Sequence, residues 1–300
     1  MAKKNEEVST VRRAKHGGIL TVIFAILSFL WIAPILIVLL NSFKRKAFIF
    51  THPFSLSCYS ITEGWDKFKA GITRALCGWL NYSNGIRKTN FWECFGTSLF
   101  ITIGSVALII LCCSMCAWYI TRVHTKVTKT IYVLCLFSMI VPFQMVMFTL
   151  SKFANILHLS NPLGIIIVYL GFGAGLAVFM FTGFVKGISL EIEEAAMIDG
   201  CSPLQTFFKV VFPILKPTTV TVAILEAMWV WNDYLLPYLV LSSKYRTIPI
   251  AVQYLKQSHG QIDWGAMMAV LVLAILPIII FYIACQKYII EGVLAGAVKG

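Results

Sequence analysis

The chain has 300 residues, 59% apolar and only 13% charged, with a formal net charge of +12. That charged share is about half the ordinary value for a soluble domain, and a mean hydropathy of +0.82 leaves more apolar side chain than one water-facing core could hide. These proportions exclude a soluble enzyme, a disordered chain and a collagen-like fibre, and they imply an integral membrane protein. The surplus Lys and Arg sit in short segments between apolar runs, where they anchor and orient spans; they do not form a nucleic-acid patch.

The N-terminal segment, residues 1–18, carries Lys3, Lys4, Arg12, Arg13 and Lys15. The apolar run behind it is too long for a signal-peptide core, so it reads as an uncleaved anchor with a cytoplasmic N-terminus. Crossing a hydrocarbon core takes roughly 20 apolar residues in helical form, and six stretches meet that need: Ile19–Leu40, Thr97–Ile120, Ile131–Leu150, Pro162–Val185, Thr218–Leu241 and Gly265–Cys285. Their length and lack of strict alternation favour helices over barrel strands. The expected fold is therefore an all-α membrane protein: a six-span domain over residues 19–285, with a cytoplasmic tail over residues 286–300. Six crossings put both termini inside. Lys and Arg divide almost evenly between the two sides, so the orientation rests on the N-terminal cluster and on the cytoplasmic segment described below.

Between the first two spans, residues 42–96 form a long outer loop. Trp65, Phe68, Ile72, Leu76 and Trp79 recur there at helical spacing, with Thr62 placed as an N-cap. This pattern predicts an amphipathic helix, either lying on a membrane or partner surface or packed within the loop. Cys112, Cys113, Cys116, Cys135 and Cys285 fall in apolar runs and read as small hydrophobes, and Cys201 falls in a polar loop. Cys58 and Cys77, with Cys94 at a span edge, are candidates for pairing if their loop faces an oxidising compartment. No zinc-type Cys/His spacing occurs, so no metal site is expected.

The chain carries no phosphate-binding loop, HExxH or GxSxG. Gly171, Gly173 and Gly175 are spaced like part of a dinucleotide fingerprint, but they sit mid-span with no preceding strand, so close helix packing is the better reading. The informative segment is 186–217. Ser189 is placed to cap a short helix whose first turn holds Glu191, Glu193 and Glu194, and Asp199-Gly200 ends it. Ser202, Pro203 and Gln205 make the start of a second helix with a capping box, and Phe207, Phe208 and Val211 give it an apolar face before Pro213 and Pro217. A loop so punctuated, with acidic and apolar faces, is suited to dock into a groove of another protein.

Glu194-Ala195-Ala196, Asp199-Gly200 and Phe212-Pro213 resemble the EAA loop of ABC-transporter inner-membrane permeases. Trp229–Pro237 (WVWNDYLLP), Asp263-Trp264-Gly265 and the closing run from Gln286 to Gly300 are similar to the smaller permease subunit of maltose-type carbohydrate importers. The resemblance spans nearly the whole chain. The sequence departs from the pattern at Cys201, where Ala is usual, and at Gly64–Lys88, which looks inserted.

The resemblance implies a bacterial or archaeal cytoplasmic-membrane subunit that is not itself an enzyme. It would carry no cofactor, with ATP and Mg²⁺ on partner ATPases, and would form half of a pathway for a di- or oligosaccharide. Its implied partners are a second permease subunit, two ATPase subunits, an extracytoplasmic solute-binding protein, the carbohydrate and the lipid bilayer. The residues implied at the ATPase interface are Glu193, Glu194, Ala195, Ala196, Asp199, Gly200, Phe207 and Pro213; a large residue at Gly200 is expected to uncouple hydrolysis from transport. Gln144, Trp229, Trp231, Asn232 and Asp233 are the substrate-pathway candidates, and Gly292, Gly296 and Lys299 belong to the C-terminal signature. Within the spans Glu226 and Asp233 are the ionisable groups, too costly to face lipid; for both, a polar helix-packing role is an alternative. Rival readings are an ion-coupled secondary transporter using Asp233 or Glu226, a membrane-embedded enzyme, and an ABC permease for a non-sugar solute.

Overall fold

The computed structural model describes residues 17–257 and 262–297, so the N-terminal basic cluster and Lys299 lie outside the described residues. Every regular element among the described residues is helical apart from one isolated antiparallel bridge between Lys44 and Leu76. The chain divides into two compact units at Asn81–Tyr82.

The first unit opens with α1 (Gly17–Ser42). At about 1.5 Å per residue its 26 residues reach ~39 Å, enough to cross a membrane. Nearly all its side chains face outward, as apolar groups in lipid or against another subunit do. Beyond it α2 (Lys46–Thr51), a 3₁₀ turn (Ile61–Glu63) and α3 (Trp65–Ala75) fold around a polar knot. The buried Lys44 donates through Nζ to the carbonyls of His52 (2.8 Å) and Pro53 (3.3 Å). Asn81 Nδ2 donates to Ser42 O and Lys44 O, both at 2.8 Å. Burial pushes the Lys44 ammonium below its ordinary pKa.

The amphipathic helix expected here forms, with two corrections. Gly64, in the left-handed region at φ +110°, precedes it with no side-chain cap, and Thr62 sits in the 3₁₀ turn instead. Gly71 and Ala75 are the residues α3 buries, so the inward face is centred on small side chains that let Ser57 and Tyr59 close in, while Trp65 and Trp79 remain exposed. The Cys58 and Cys77 thiols donate to separate carbonyls, those of Gly71 and Phe43.

The second unit is built on α5 (Phe91–Arg122), which follows α4 (Leu80–Thr89). Against α5 lies α8 (Pro162–Val185), and small residues set how close the two come. A Cβ on Gly104 would meet Ile166 Cδ1 at 2.5 Å, and one on Gly173 would meet Ile109 Cδ1 at 2.6 Å. Gly175 similarly admits Met139 and the backbone of Cys135, whereas Gly171 has nothing within 4 Å. The glycine run is thus a packing surface at two of its three positions.

Between α5 and α8 the chain forms α6 (Lys126–Ile140) and α7 (Phe143–Ile156). The run read as one span, Ile131–Leu150, is broken within its length, because α6 and α7 meet at a 108° bend. Pro142 lacks an N–H and biases Val141 to the extended conformation it adopts (φ −73°, ψ 115°), so the helical ladder cannot pass through.

After α8 come α9 (Leu190–Ile198), α10 (Pro203–Thr206), a π-helical turn (Phe207–Val211), α11 (Phe212–Ile214) and α12 (Lys216–Asn232). The fifth apolar run does not continue as one helix to Leu241: α12 stops at Asn232, and α13 (Leu235–Val240) and α14 (Ile248–Gln257) follow. With 17 residues α12 is ~25 Å long, short of the ~30 Å hydrocarbon core. The last helix, α15 (Trp264–Ala297), runs on through the segment expected as a separate tail, taking in the backbone of Gly292 and Gly296. Asp263 starts it, its Oδ1 accepting from the Ala266 N–H at 3.2 Å while Oδ2 pairs with Lys88 at the end of α4.

Among the described residues four helices are long and apolar enough to cross a membrane, and the count reaches six if each bent pair is one span. The protein is an all-α, multi-pass membrane protein. Its core in this unit runs from Phe207, Val211 and Leu215 at one end, through Ile109, Phe181 and Val222, to Trp231, Ile248 and Met267 at the other.

Candidate functional site

The segment between α8 and α12 is fixed to the end of α5 by one buried ion pair. Arg122, in the last turn of α5, donates through Nε (3.0 Å) and Nη2 (2.7 Å) to Glu193 Oε1, and Trp118, one turn earlier, donates through Nε1 to Glu193 Oε2 at 2.8 Å. Arg122 Nη2 also donates to the Ile188 carbonyl at 2.9 Å. Glu193 is 1% exposed, yet both its oxygens are bonded, which is the condition for burying a carboxylate without a large penalty.

Trp118 packs against Phe207, which is fully buried, with ring centroids 5.4 Å apart and planes tilted by 43°. Phe207 opens the π-helical turn, where the Phe212 N–H reaches back to the Phe207 carbonyl; the widened turn accommodates the missing donor and the ring of Pro213 and turns both Phe207 and Val211 inward.

With those groups facing in, the opposite edge faces out. Glu194, Ala195, Asp199, Gly200 and Pro213 are exposed. Beside them stand apolar side chains in the open: Ile198 at 86%, Leu204 at 60%, Met197 at 48% and Phe208 at 46% exposure. Of the coupling candidates, Glu193, Ala196 and Phe207 are buried against the chain itself and do not reach that edge.

The turn between the two helices has the expected chemistry. Gly200 is at φ +86°, and the N–H groups of Asp199, Gly200 and Cys201 return to the carbonyls of Ala195, Met197 and Ala196 at 3.0 Å each. Nothing lies within 4 Å of a Cβ built on Gly200, so a side chain there would project into open space from a strained backbone. Ser202 and Gln205 form the reciprocal capping box. Ser189 holds the N-cap position of α9 without a side-chain bond.

At the far end of α12 the pathway candidates separate. Asp233 is consumed locally: Oδ1 accepts from the N–H groups of Leu235 (3.0 Å) and Leu236 (3.4 Å), starting α13, and Oδ2 accepts from Tyr169 OH at 3.0 Å. Tyr169 is fully buried and packs edge-on against Trp229 at 5.3 Å. Trp231 points elsewhere, its Nε1 donating to Ala274 O at 3.4 Å and its ring packing on Phe95. Asn232 is exposed and donates to the Met228 carbonyl, and Gln144 is exposed in the first turn of α7. Glu226 is 2% exposed against Gly173, with Oε2 unbonded among the described residues.

The residues missed in the sequence are Trp118, Arg122 and Tyr169. Trp118 and Arg122 had a signal, since they are four apart on one helix face at a span end. Tyr169 lies inside an unbroken apolar run and had none.

A family described as "Binding-protein-dependent transport system inner membrane component" matches residues 109–294. The chain belongs to this family. Its members are transport subunits that work with other transporter components and are not enzymes. Over 94% of its length the chain is 38% identical to the probable starch degradation products transport system permease protein AmyC of Thermoanaerobacterium thermosulfurigenes, covering 96% of that protein. It is 32% identical, with 94% of each chain covered, to the multiple sugar-binding transport system permease protein MsmG of Streptococcus mutans. A solved bacterial ABC transporter involved in alginate import contains a chain of the same fold, with a TM-score of 0.70, 21% identity, and 96% and 99% of the two chains covered.

Proposed function

We propose that this chain is the smaller permease subunit of an ABC importer and forms half of a transmembrane pathway for a di- or oligosaccharide. A companion permease subunit supplies the other half, two ATPase subunits bind ATP and Mg²⁺, and an extracytoplasmic binding protein delivers the sugar. Both termini face the cytoplasm. The observation that carries this reading is the outward edge of α9 and α10, where Glu194 and Asp199 flank exposed Ile198 and Leu204. Large exposed apolar groups beside charges on a short, rigidly capped segment are what a protein groove requires. The sugar transport names of the relatives support the substrate class.

Each part of the segment then has a task. The outward edge sits in an ATPase cleft, and the Arg122–Glu193–Trp118 cluster passes any displacement of α9 directly to α5, the helix on which the unit is built. Closure of the ATPase pair becomes rigid-body rocking of the spans.

The test is ATP hydrolysis and uptake by the purified complex in lipid, with binding protein and a panel of di- and oligosaccharides. Wild type should show sugar-dependent stimulation of hydrolysis that disappears when this chain is omitted. Gly200→Trp should insert and assemble yet hydrolyse ATP without uptake; normal coupled uptake by that variant would overturn the assignment of this edge. Stable isolation of the chain alone with ion-gradient-driven uptake would overturn the importer reading itself.

A further inference from the structure

Just past its last turn, α1 leads into a short antiparallel pairing. The Cys77 N–H donates to the Phe43 carbonyl at 2.8 Å and the Arg45 N–H to the Ala75 carbonyl at 2.9 Å, with Lys44 opposite Leu76 between them. Lys44 is turned inward, onto the carbonyls of His52 and Pro53, while Arg45 is exposed. Arg45 Nε donates to the Leu76 carbonyl at 3.3 Å, which holds the guanidinium beside the pairing. The Trp79 ring stands edge-on to Phe43, with centroids 5.5 Å apart and planes at 78°, and is 72% exposed. Lys46, the next residue after Arg45, is exposed as well. Backbone bonds and one ring contact thus gather two cations and a tryptophan at the end of a single spanning helix.

The span sets their depth. As helix, the apolar run Ile19–Leu40 covers ~33 Å, the thickness of a hydrocarbon core, so Phe43 to Lys46 reach the level of the lipid headgroups. An indole at the boundary of acyl chain and water, with cations within reach of phosphate, is the chemistry of that layer.

The charges have no match within the segment. Arg45, Lys46, Lys67, Lys69 and Arg74 are exposed, against the carboxylates of Glu63 and Asp66. Among the described residues no carboxylate lies within 4.0 Å of any of these five cations. An acidic protein surface would match the cations but would leave a tryptophan on the flank of a spanning helix without a role. We propose that Arg45, Lys46 and Trp79 form a headgroup site for an anionic phospholipid at the end of α1, the cations taking the phosphate and the indole lying at the glycerol level. The site depends on the span and its polar end, and not on which solute is transported.

The test measures lipid retained by the full complex, by native mass spectrometry, after titration with phosphatidylglycerol or phosphatidylcholine. Wild type should retain phosphatidylglycerol in preference, with an affinity that falls as salt rises. Arg45→Gln and Lys46→Gln should each weaken phosphatidylglycerol binding about fivefold and leave phosphatidylcholine unchanged. Arg45→Lys should restore most of the loss, because the charge survives. Both side chains are exposed, so the thermal midpoint of each variant in phosphatidylcholine nanodiscs should match wild type. Trp79→Ala should weaken retention of both lipids, since the indole meets the apolar boundary they share.

Equal retention of the two lipids by wild type would overturn the site, as would unchanged phosphatidylglycerol affinity when Arg45→Gln and Lys46→Gln are combined. Displacement of the lipid by glycerol phosphate, which carries the same phosphate without acyl chains, would overturn it in favour of a soluble-anion site. A double variant that keeps its lipid and instead loses affinity for the binding protein would make the patch a protein-docking surface.

Discussion

At the end of α12 where the chain arrives from the coupling segment, Glu194 and Asp199 face outward while a neighbouring carboxylate, Glu193, is spent inside. At the end where the chain leaves α12, the carboxylate of Asp233 is spent on Tyr169 and on the start of α13, and Tyr238, Tyr254 and Arg246 are exposed. The two ends follow one plan, with a buried acid holding the backbone so that other residues are presented. The difference lies in what is exposed: charge with large apolar groups at the first end, tyrosines and an arginine at the second.

The largest effect expected is at the buried acid of the coupling end. Glu193→Ala leaves the half-buried Arg122 with the Ile188 carbonyl but without its carboxylate, a loss of about 3 kcal/mol. Co-purification of the ATPase subunits should fall sharply, and protease cleavage between α8 and α12 should rise; wild-type levels of both would show that the segment is held by its apolar contacts alone. Trp118→Phe removes one bond and keeps the ring on Phe207, so it should cost about 1–2 kcal/mol and leave assembly largely intact.

Asp233→Ala comes next. Losing the bonds to Tyr169, Leu235 and Leu236 should cost about 1–3 kcal/mol and lower the unfolding temperature in detergent, with Asp233→Asn milder because it keeps an acceptor. A changed sugar dependence at unchanged thermal stability would instead move Asp233 into the pathway and break the parallel between the two ends.

Ile198→Ser should leave stability within about 0.5 kcal/mol, since the side chain is 86% exposed, while weakening ATPase binding. Equal loss of both would mean that the outward edge is structural.

The smallest effect belongs to Lys44, a buried charge held by the carbonyls of His52 and Pro53. Its pKa in the folded outer segment lies below the ordinary 10.5, so the unfolded chain binds more protons between those two values. Stability of that segment should rise as pH increases across that window and stay flat below it, as amide exchange over residues 42–81 would report; a fall across the window would reverse the sign of the burial effect.

Reading the sequence, the apolar runs, the capping box at Ser202 and Gln205, the stop at Asp199-Gly200 and the membrane fold class were legible because each depends on residues within a few positions of one another. The break at Pro142 was not read from the sequence, and its 108° angle depends on what α6 and α7 pack against. The same limit applies to Glu191, Glu193 and Glu194, which look alike in a helical first turn. Only the approach of Arg122 and Trp118, from 71 and 75 residues away in the chain, separates the one that holds the segment from the ones that stay exposed.

The sequence by itself determined that this chain lives in a membrane, how many apolar runs it has, and where the segment between α8 and α12 starts, turns and ends, because composition, helical period and capping are local. Tertiary structure alone decided which polar side chains are used up inside and which are left to meet another molecule. That division follows from the cost of burying an unpaired charge, and the partners that offset it come from distant parts of the chain.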